Sequence, residues 1–200
     1  YLHPDLNGSY RGGSNSWYDP NGQHATPYDY HGHGTQVMGV IVGGDAGGTS
    51  IGVAPDAQWI AVKIFNDGGS ASYSVIHQGF QWLLDPDGNP GTNDAPDVVN
   101  GSWGYDGVLV NQCFTEFQAD LQALKAADIA VVFSSGNSGP DPSTSESPAN
   151  YPGSFAVGAV DPSTTIASFS GRGTSACDDT IYLEVTAPAV GVRTSNLGNR

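Results

Sequence analysis

Hydrophobic and polar positions follow two different periods along this chain. Residues 34–42 are small and apolar together, the pattern of a buried helix that begins just after His33. Residues 43–50 (GGDAGGTS) read as a loop. Residues 58–65 (QWIAVKIF) form a β-rich run, and residues 70–84 then place Val75, Ile76, Phe80, Trp82 and Leu83 at helical spacing. Turn chemistry over 85–95 leads to a short apolar strand, 96–100, that runs into Gly101-Ser102-Trp103-Gly104. Residues 112–127 read as an amphipathic helix through Phe114, Phe117, Leu121 and Leu124, followed by the continuous apolar strand 129–133. Two further apolar runs, 155–160 and 181–185, are expected to add strands. Residues 1–30, rich in Gly, Asn, Asp, Pro and Tyr without a sustained period, read as surface loop.

Strands alternating with helices predict an α/β fold: a three-layer, doubly wound, mostly parallel sheet with helices on both faces. A chain of 200 residues can bury a substantial core, and neither a repeat nor a linker divides it, so residues 1–200 are expected to form a single domain.

Charge narrows the partners. Twenty acidic residues against six basic ones leave a net charge of −14, which repels nucleic-acid phosphates and anionic lipid surfaces. No apolar run approaches the length that crosses a bilayer, and 38% hydrophobic residues argue against disorder. The expected protein is soluble and binds neither nucleic acid nor membrane. It opens on Tyr1 with no leader pattern, so any targeting segment is expected to have been removed or left out. Cys113 and Cys177 match no zinc spacing and no redox pair, which leaves one disulfide or two buried thiols. A disulfide would point to an oxidising compartment.

In a parallel α/β sheet, ligands bind beyond the carboxyl ends of the strands. Three polar segments are expected at that rim: His33 at a helix start, Ser102-Trp103-Gly104 after one strand, and Ser134-Ser135-Gly136-Asn137 after the next. A histidine can act as general base and then general acid near neutral pH. An asparagine side chain can donate to an oxygen that becomes negative during acyl transfer. A strand end reading Ser-Trp-Gly can pair with an extended peptide. Together they spell amide hydrolysis. Each segment also has a plainer reading: metal binding through Asp29, His31 and His33, a partial dinucleotide fingerprint over 32–37, a turn at Asn137, or a core role for Trp103.

These segments resemble the subtilisin-like serine proteases, the subtilase or S8 peptidase family. The helix motif H-G-T-H-V-A-G is matched by His33-Gly34-Thr35-Gln36-Val37-Met38-Gly39. The substrate-binding strand is matched by Val98-Val99-Asn100-Gly101-Ser102-Trp103-Gly104, and the oxyanion segment by Ser134-Ser135-Gly136-Asn137. Smaller echoes follow in the family's order: Gly52-Val53-Ala54-Pro55, Tyr151-Pro152, Ser168-Phe169-Ser170 and Ala187-Pro188. The segments GVAPDAQWIAVKIF, PDVVNGSWG and SAC look like the bacillopeptidase F branch, secreted by bacteria.

The resemblance implies a secreted bacterial endopeptidase that cleaves peptide bonds by acyl transfer through an Asp-His-Ser triad. His33 would be its base and acid, Asn137 its oxyanion donor, and Ser102, Trp103, Gly104, Ser135 and Gly136 its substrate-binding residues. Extended peptides or proteins are the implied partners, with a propeptide compatible, and catalysis needs no cofactor. Many relatives of this kind hold structural calcium; Asp45 lies in a loop where such a site occurs, yet Gly44, Ala46, Gly47 and Gly48 offer no other side-chain ligand. The aspartate and the nucleophilic serine of the family pattern are expected outside these 200 residues, so the segment looks like a fold truncated at both ends and nearly inactive alone. Ser175 in Gly173-Thr174-Ser175 is a poor substitute, because Ala-Cys-Asp-Asp-Thr follows it as a turn and not as an apolar helix. Ser50, in the loop after His33, is a poorer one. The alternative is a catalytically dead module that binds peptides.

Overall fold

A computed structural model describes residues 3–198, leaving Tyr1, Leu2, Asn199 and Arg200 outside the described residues. The described residues gather into two compact units, one built from residues up to Pro96 together with the segment from Arg193, the other from Asp97–Val192.

The first unit contains helix α1 (Pro4–Asn7), strand β1 (Trp17–Tyr18), helix α2 (His33–Val42), strand β2 (Ala61–Val62) and helix α3 (Tyr73–Leu84). β1 and β2 pair in parallel, Trp17 with Ala61 and Tyr18 with Val62. Residues 3–30 are therefore more than loop. His3 caps α1 by accepting the Asp5 amide on Nδ1, and Leu6 joins Val42 and Trp59 in a buried cluster edged by Tyr10, Met38, Ile41 and Ala61. Trp59 Nε1 donates to the Leu6 carbonyl at 2.8 Å, so the indole is packed and its polar edge is satisfied. The apolar residues doing this are single and widely spaced, and leave no period to read. The β-rich run 58–65 shrinks to two paired residues plus a bridge between Tyr10 and Trp59. Its partner is too short to pair with more of it.

α2 and α3 lie close to where periodicity puts them. α3 begins at Tyr73 because the Ser72 hydroxyl accepts the Val75 amide, and it buries Ile76, Gly79 and Phe80. The segment 193–198 returns to α2, where the Thr194 hydroxyl donates to the Gln36 carbonyl.

The second unit is built on four parallel strands, β3 (Val98–Gly101), β4 (Ala130–Ser134), β5 (Phe155–Val160) and β6 (Val185–Pro188), in the spatial order β3-β4-β5-β6. Parallel neighbours require crossovers. The β3–β4 crossover carries helix α4 (Gln118–Ala126), which buries Leu121 and Leu124. α4 is shorter than the predicted 112–127, since residues 112–115 are irregular and 116–117 form a turn, with Phe117 in the core. β6 is displaced from the predicted 181–185; Ile181 instead makes an antiparallel bridge to Thr174 and is exposed.

The other two crossovers, 135–154 and 161–184, carry no regular helix or strand. Residues 144–151 are nevertheless all buried. A buried loop must find partners for its backbone, and here short polar side chains and neighbouring amides supply them. The Ser147 carbonyl accepts the Tyr105 amide, and the Ser145 carbonyl accepts the Asn111 amide. Asn150 Nδ2 donates to the Gln112 carbonyl, and the Asn150 carbonyl accepts the Ser175 hydroxyl at 2.7 Å. The Tyr182 hydroxyl donates to the Ser135 carbonyl and accepts the Glu146 amide. A disulfide between Cys113 and Cys177 joins the two segments, beside Gln112 and Ser175, that bond to Asn150 of this strap.

The disulfide closes a loop of sequence separation 64, for which chain entropy gives about 4 kcal/mol. Replacing Cys113 and Cys177 together by alanine is expected to lower the free energy of unfolding by about that amount, read from the urea midpoint of the transition that exposes Trp103. No change in the midpoint would show that the strap is held by hydrogen bonds alone.

Candidate active site

His33 is the first residue of α2 and is exposed. The backbone reaches it through Gly32, which adopts φ 89°, a left-handed conformation that a residue with a side chain enters at a cost. What sets this turn is Asp29. Its Oδ1 accepts the amides of His31 and Gly32, and its Oδ2 accepts the Thr35 amide at 2.7 Å and the Thr35 hydroxyl at 2.8 Å. One carboxylate thus satisfies two amides at the helix start, those of Gly32 and Thr35, and meets the positive end of its dipole. Partial burial raises the Asp29 pKa, but the hydrogen bonds from Thr35, Gly32 and His31 outweigh it and hold the carboxyl below the ordinary value. Asp29 gathers donors for a structural purpose and was legible in the sequence only as an alternative metal ligand.

The side chain of His31, two residues earlier, is engaged elsewhere, with its Nε2 3.1 Å from the Asp67 carbonyl. Asp67 in turn pairs with His24 at 2.9 Å and Lys63 at 3.1 Å, and the His24 hydrogen bond leads the effects that lower its pKa. Among the described residues, Asp29, His31 and His33 do not form a cluster able to hold a metal; the carboxylates that do converge are Asp85, Asp87 and Asp94. Asp45 is exposed and joins no such group.

In the second unit, a cavity of ≈ 360 Å³ is lined by Ser102, Trp103, Gly104, Ser134, Gly136 and Asn137, with Asp106, Gly107, Ser138 and Glu146 completing it. The ends of β3 and β4 therefore open onto one pocket, as ligand sites of parallel sheets do. Trp103 is half-buried. One part of the ring packs edge-on to Phe117 and Phe133, at centroid distances of 5.7 and 5.9 Å, and the residue also borders the cavity. Core packing and a place on the cavity wall therefore coexist in this residue. Asn137 is exposed at the pocket.

Ser135 departs from expectation. Along β4 and its extension side chains alternate, so Phe133 and Ser135 turn inward while Ser134 takes the pocket side. The Ser135 hydroxyl lies 3.2 Å from that of Ser170, inside the unit. Ser175 is buried at 3% exposure, donating to the Asn150 carbonyl and accepting the Cys177 amide, inside a turn. That geometry suits a strap anchor and denies a nucleophile access to substrate.

Glu146 is the pocket residue that sequence reasoning missed. It is only 4% exposed, and its Oε1 accepts the Ser138 hydroxyl at 2.6 Å. Burial pushes its carboxyl above the ordinary value; hydrogen bonds from Ser138 and from the Asn137 and Ser138 amides oppose the shift, and nearby Asp106 adds to it. Gly136 has φ 79°, and a Cβ there would lie 2.2 Å from the Glu146 carboxylate. Gly136 is thus required twice, by its conformation and by its neighbour.

The whole chain, residues 1–200, matches the subtilase family (peptidase S8). It is 42% identical over 212 residues to bacillopeptidase F of Bacillus subtilis (strain 168), covering 96% of this chain and 14% of that protein. It is 35% identical over 196 residues to subtilisin E of the same organism, covering 96% of this chain and 45% of that protein. A crystal structure of a cold adapted subtilisin-like serine proteinase superposes with a TM-score of 0.76 at 23% identity, covering 99% of this chain and 62% of that one. The α/β fold expected from the alternation of strands and helices is therefore the subtilisin-like one. The chain spans less than half the length of the two curated relatives just described.

Replacing Asp29 by alanine is expected to cost about 1–2 kcal/mol at neutral pH, the usual worth of a helix cap. Because the folded-state pKa lies below the unfolded one, this stabilisation is complete above the unfolded value and is lost as pH falls through the folded value. Urea titrations should show a constant gap between the two proteins down to about pH 4 and a narrowing gap below it. A gap that does not depend on pH would exclude the ionised cap.

Proposed function

The chain belongs to the subtilase family, and from that premise we propose that the protein carrying it is a secreted bacterial serine endopeptidase. His33 takes the proton of a serine nucleophile and later returns it to the leaving amine. Asn137 donates from its side-chain amide to the oxygen of the tetrahedral intermediate. The residues 102–104 receive an extended substrate by main-chain pairing, and Gly136 leaves room for it. The observation that carries the reading is the convergence of Ser102, Trp103, Gly104, Gly136 and Asn137 on one cavity at the ends of β3 and β4.

The nucleophile and the aspartate of this reaction are assigned to segments other than these 200 residues. Ser175 is committed to the strap, which removes the strongest serine inside the chain. The 200 residues alone are therefore proposed to be nearly inactive, and catalysis is assigned to protein side chains without a cofactor. A propeptide fits the same reading as an occupant of the substrate strand. Among the described residues no helix is long and apolar enough to cross a membrane.

The test is hydrolysis of a peptide amide by the full-length protein. His33→Ala is expected to reduce kcat by roughly a million-fold, the size found for the histidine of subtilisin itself. Asn137→Ala should reduce kcat by about 10²–10³-fold with little change in KM, again the subtilisin magnitude. Full-length protein that binds peptides but turns none over would favour the dead binding module. Full activity in the 200-residue chain would refute the assignment of the nucleophile.

A further inference from the structure

The cavity at the ends of β3 and β4 has an acidic wall. Glu146 and Asp106 both line it, and none of the ten lining residues is lysine, arginine or histidine. Resting on the proteolytic reading above, we propose that Glu146, assisted by Asp106, makes this pocket select a lysine or arginine side chain on the residue just before the cleaved bond.

The position within the substrate follows from what else the cavity holds. Asn137, the donor to the reacting carbonyl oxygen, lines the same space, so the side chain that enters belongs to the residue carrying that carbonyl. The carboxylate is placed for such a guest. It packs between the two segments that bound the cavity, with Oε2 3.2 Å from where a Gly104 Cβ would stand and the carboxyl group 2.2 Å from where a Gly136 Cβ would stand. Any larger residue at either glycine would occupy the space between Glu146 and the cavity. The carboxylate is oriented by the Ser138 hydroxyl and by the amides of Asn137 and Ser138. A carboxylate offers about four acceptor positions, so three donors leave capacity for a further one.

Electrostatics point the same way. A buried carboxylate is costly unless a counter-charge or hydrogen bonds meet it. Burial and the neighbouring Asp106 both disfavour its charged form here, and a guest ammonium or guanidinium supplies the missing opposite charge. The size is adequate: ≈ 360 Å³ lies within the range of pockets that enclose small organic groups. A lysine or arginine stem can lie along the Trp103 ring while its head meets the carboxylates.

The experiment uses full-length protein and peptide amides that differ only before the cleaved bond: lysine, arginine, norleucine, phenylalanine and glutamate. Lysine and arginine peptides are expected to exceed norleucine and phenylalanine in kcat/KM by roughly 10–100-fold, the worth of a hydrogen bond to a buried charge. Glu146→Gln should collapse the lysine-to-norleucine ratio toward one, and Asp106→Asn should reduce it by a smaller factor. The comparison of lysine with norleucine needs no substitution, so misfolding of Glu146→Gln would leave the question decidable. Faster hydrolysis of norleucine or phenylalanine peptides, or a ratio unmoved in Glu146→Gln, overturns the proposal and leaves the protease reading intact. Absence of all hydrolysis sinks the protease reading instead. The pocket is then judged by calorimetry: acetyl-arginine amide binding more tightly than acetyl-norleucine amide supports the cationic preference, and equal binding refutes it.

Discussion

The structure of the second unit depends on solving one problem: a strap of loop, residues 144–151, runs through the interior without a helix or a strand to pair its backbone. Each buried amide or carbonyl left alone would cost on the order of 1–3 kcal/mol. The Ser175 hydroxyl donates to the Asn150 carbonyl, the Tyr182 hydroxyl accepts the Glu146 amide, the amides of Tyr105 and Asn111 donate to the Ser147 and Ser145 carbonyls, and the Cys113–Cys177 disulfide joins the segments beside Gln112 and Ser175 that bond to Asn150. Short hydroxyl and amide side chains suit this role, because they reach neighbouring backbone without opening voids. Tyr151 belongs to the same set. Burial leads the effects that push its hydroxyl up to about 12, and that hydroxyl donates to the Phe114 carbonyl.

What the strap delivers is position. Glu146 sits at its middle, so the hydrogen bonds that keep the strap inside also fix a carboxylate beside Gly104 and Gly136. The segment 134–137 is held from the other side by strand pairing, the Ser135 amide donating to the Val157 carbonyl. A pocket wall made of loop is thus tied by hydrogen bonds much as a strand is tied by its ladder. In the first unit the same principle operates at smaller scale. Asp29 gathers three amides and one hydroxyl at the start of α2, and the exposed imidazole of His33 stands on that fixed turn.

Legibility in the sequence followed the range of the interactions. α2, α3, β3, β4 and β5 were readable because their apolar residues recur at a local period. The placement of His33 at a helix start, and of Asn137 and residues 102–104 at strand ends, was readable because each lies inside a short motif. The packing of Leu6 under Trp59 was not readable, since the partners are 53 positions apart and carry no shared pattern. The inward turn of the Ser135 side chain was not readable, because a motif names residues without saying which face of the extended chain each one takes. Glu146 was passed over for a related reason. It stands in a Ser- and Pro-rich stretch that reads as surface turn, and only its burial distinguishes it.

By itself the sequence determined the α/β class and the family, because local periodicity and short motifs encode these without distant contacts. Tertiary structure alone decided that residues 144–151 are buried, that Ser175 anchors a turn, and that Glu146 and Asp106 share a cavity with Asn137. Burial and charge proximity are properties of residues brought together across the chain, so no local pattern could announce them.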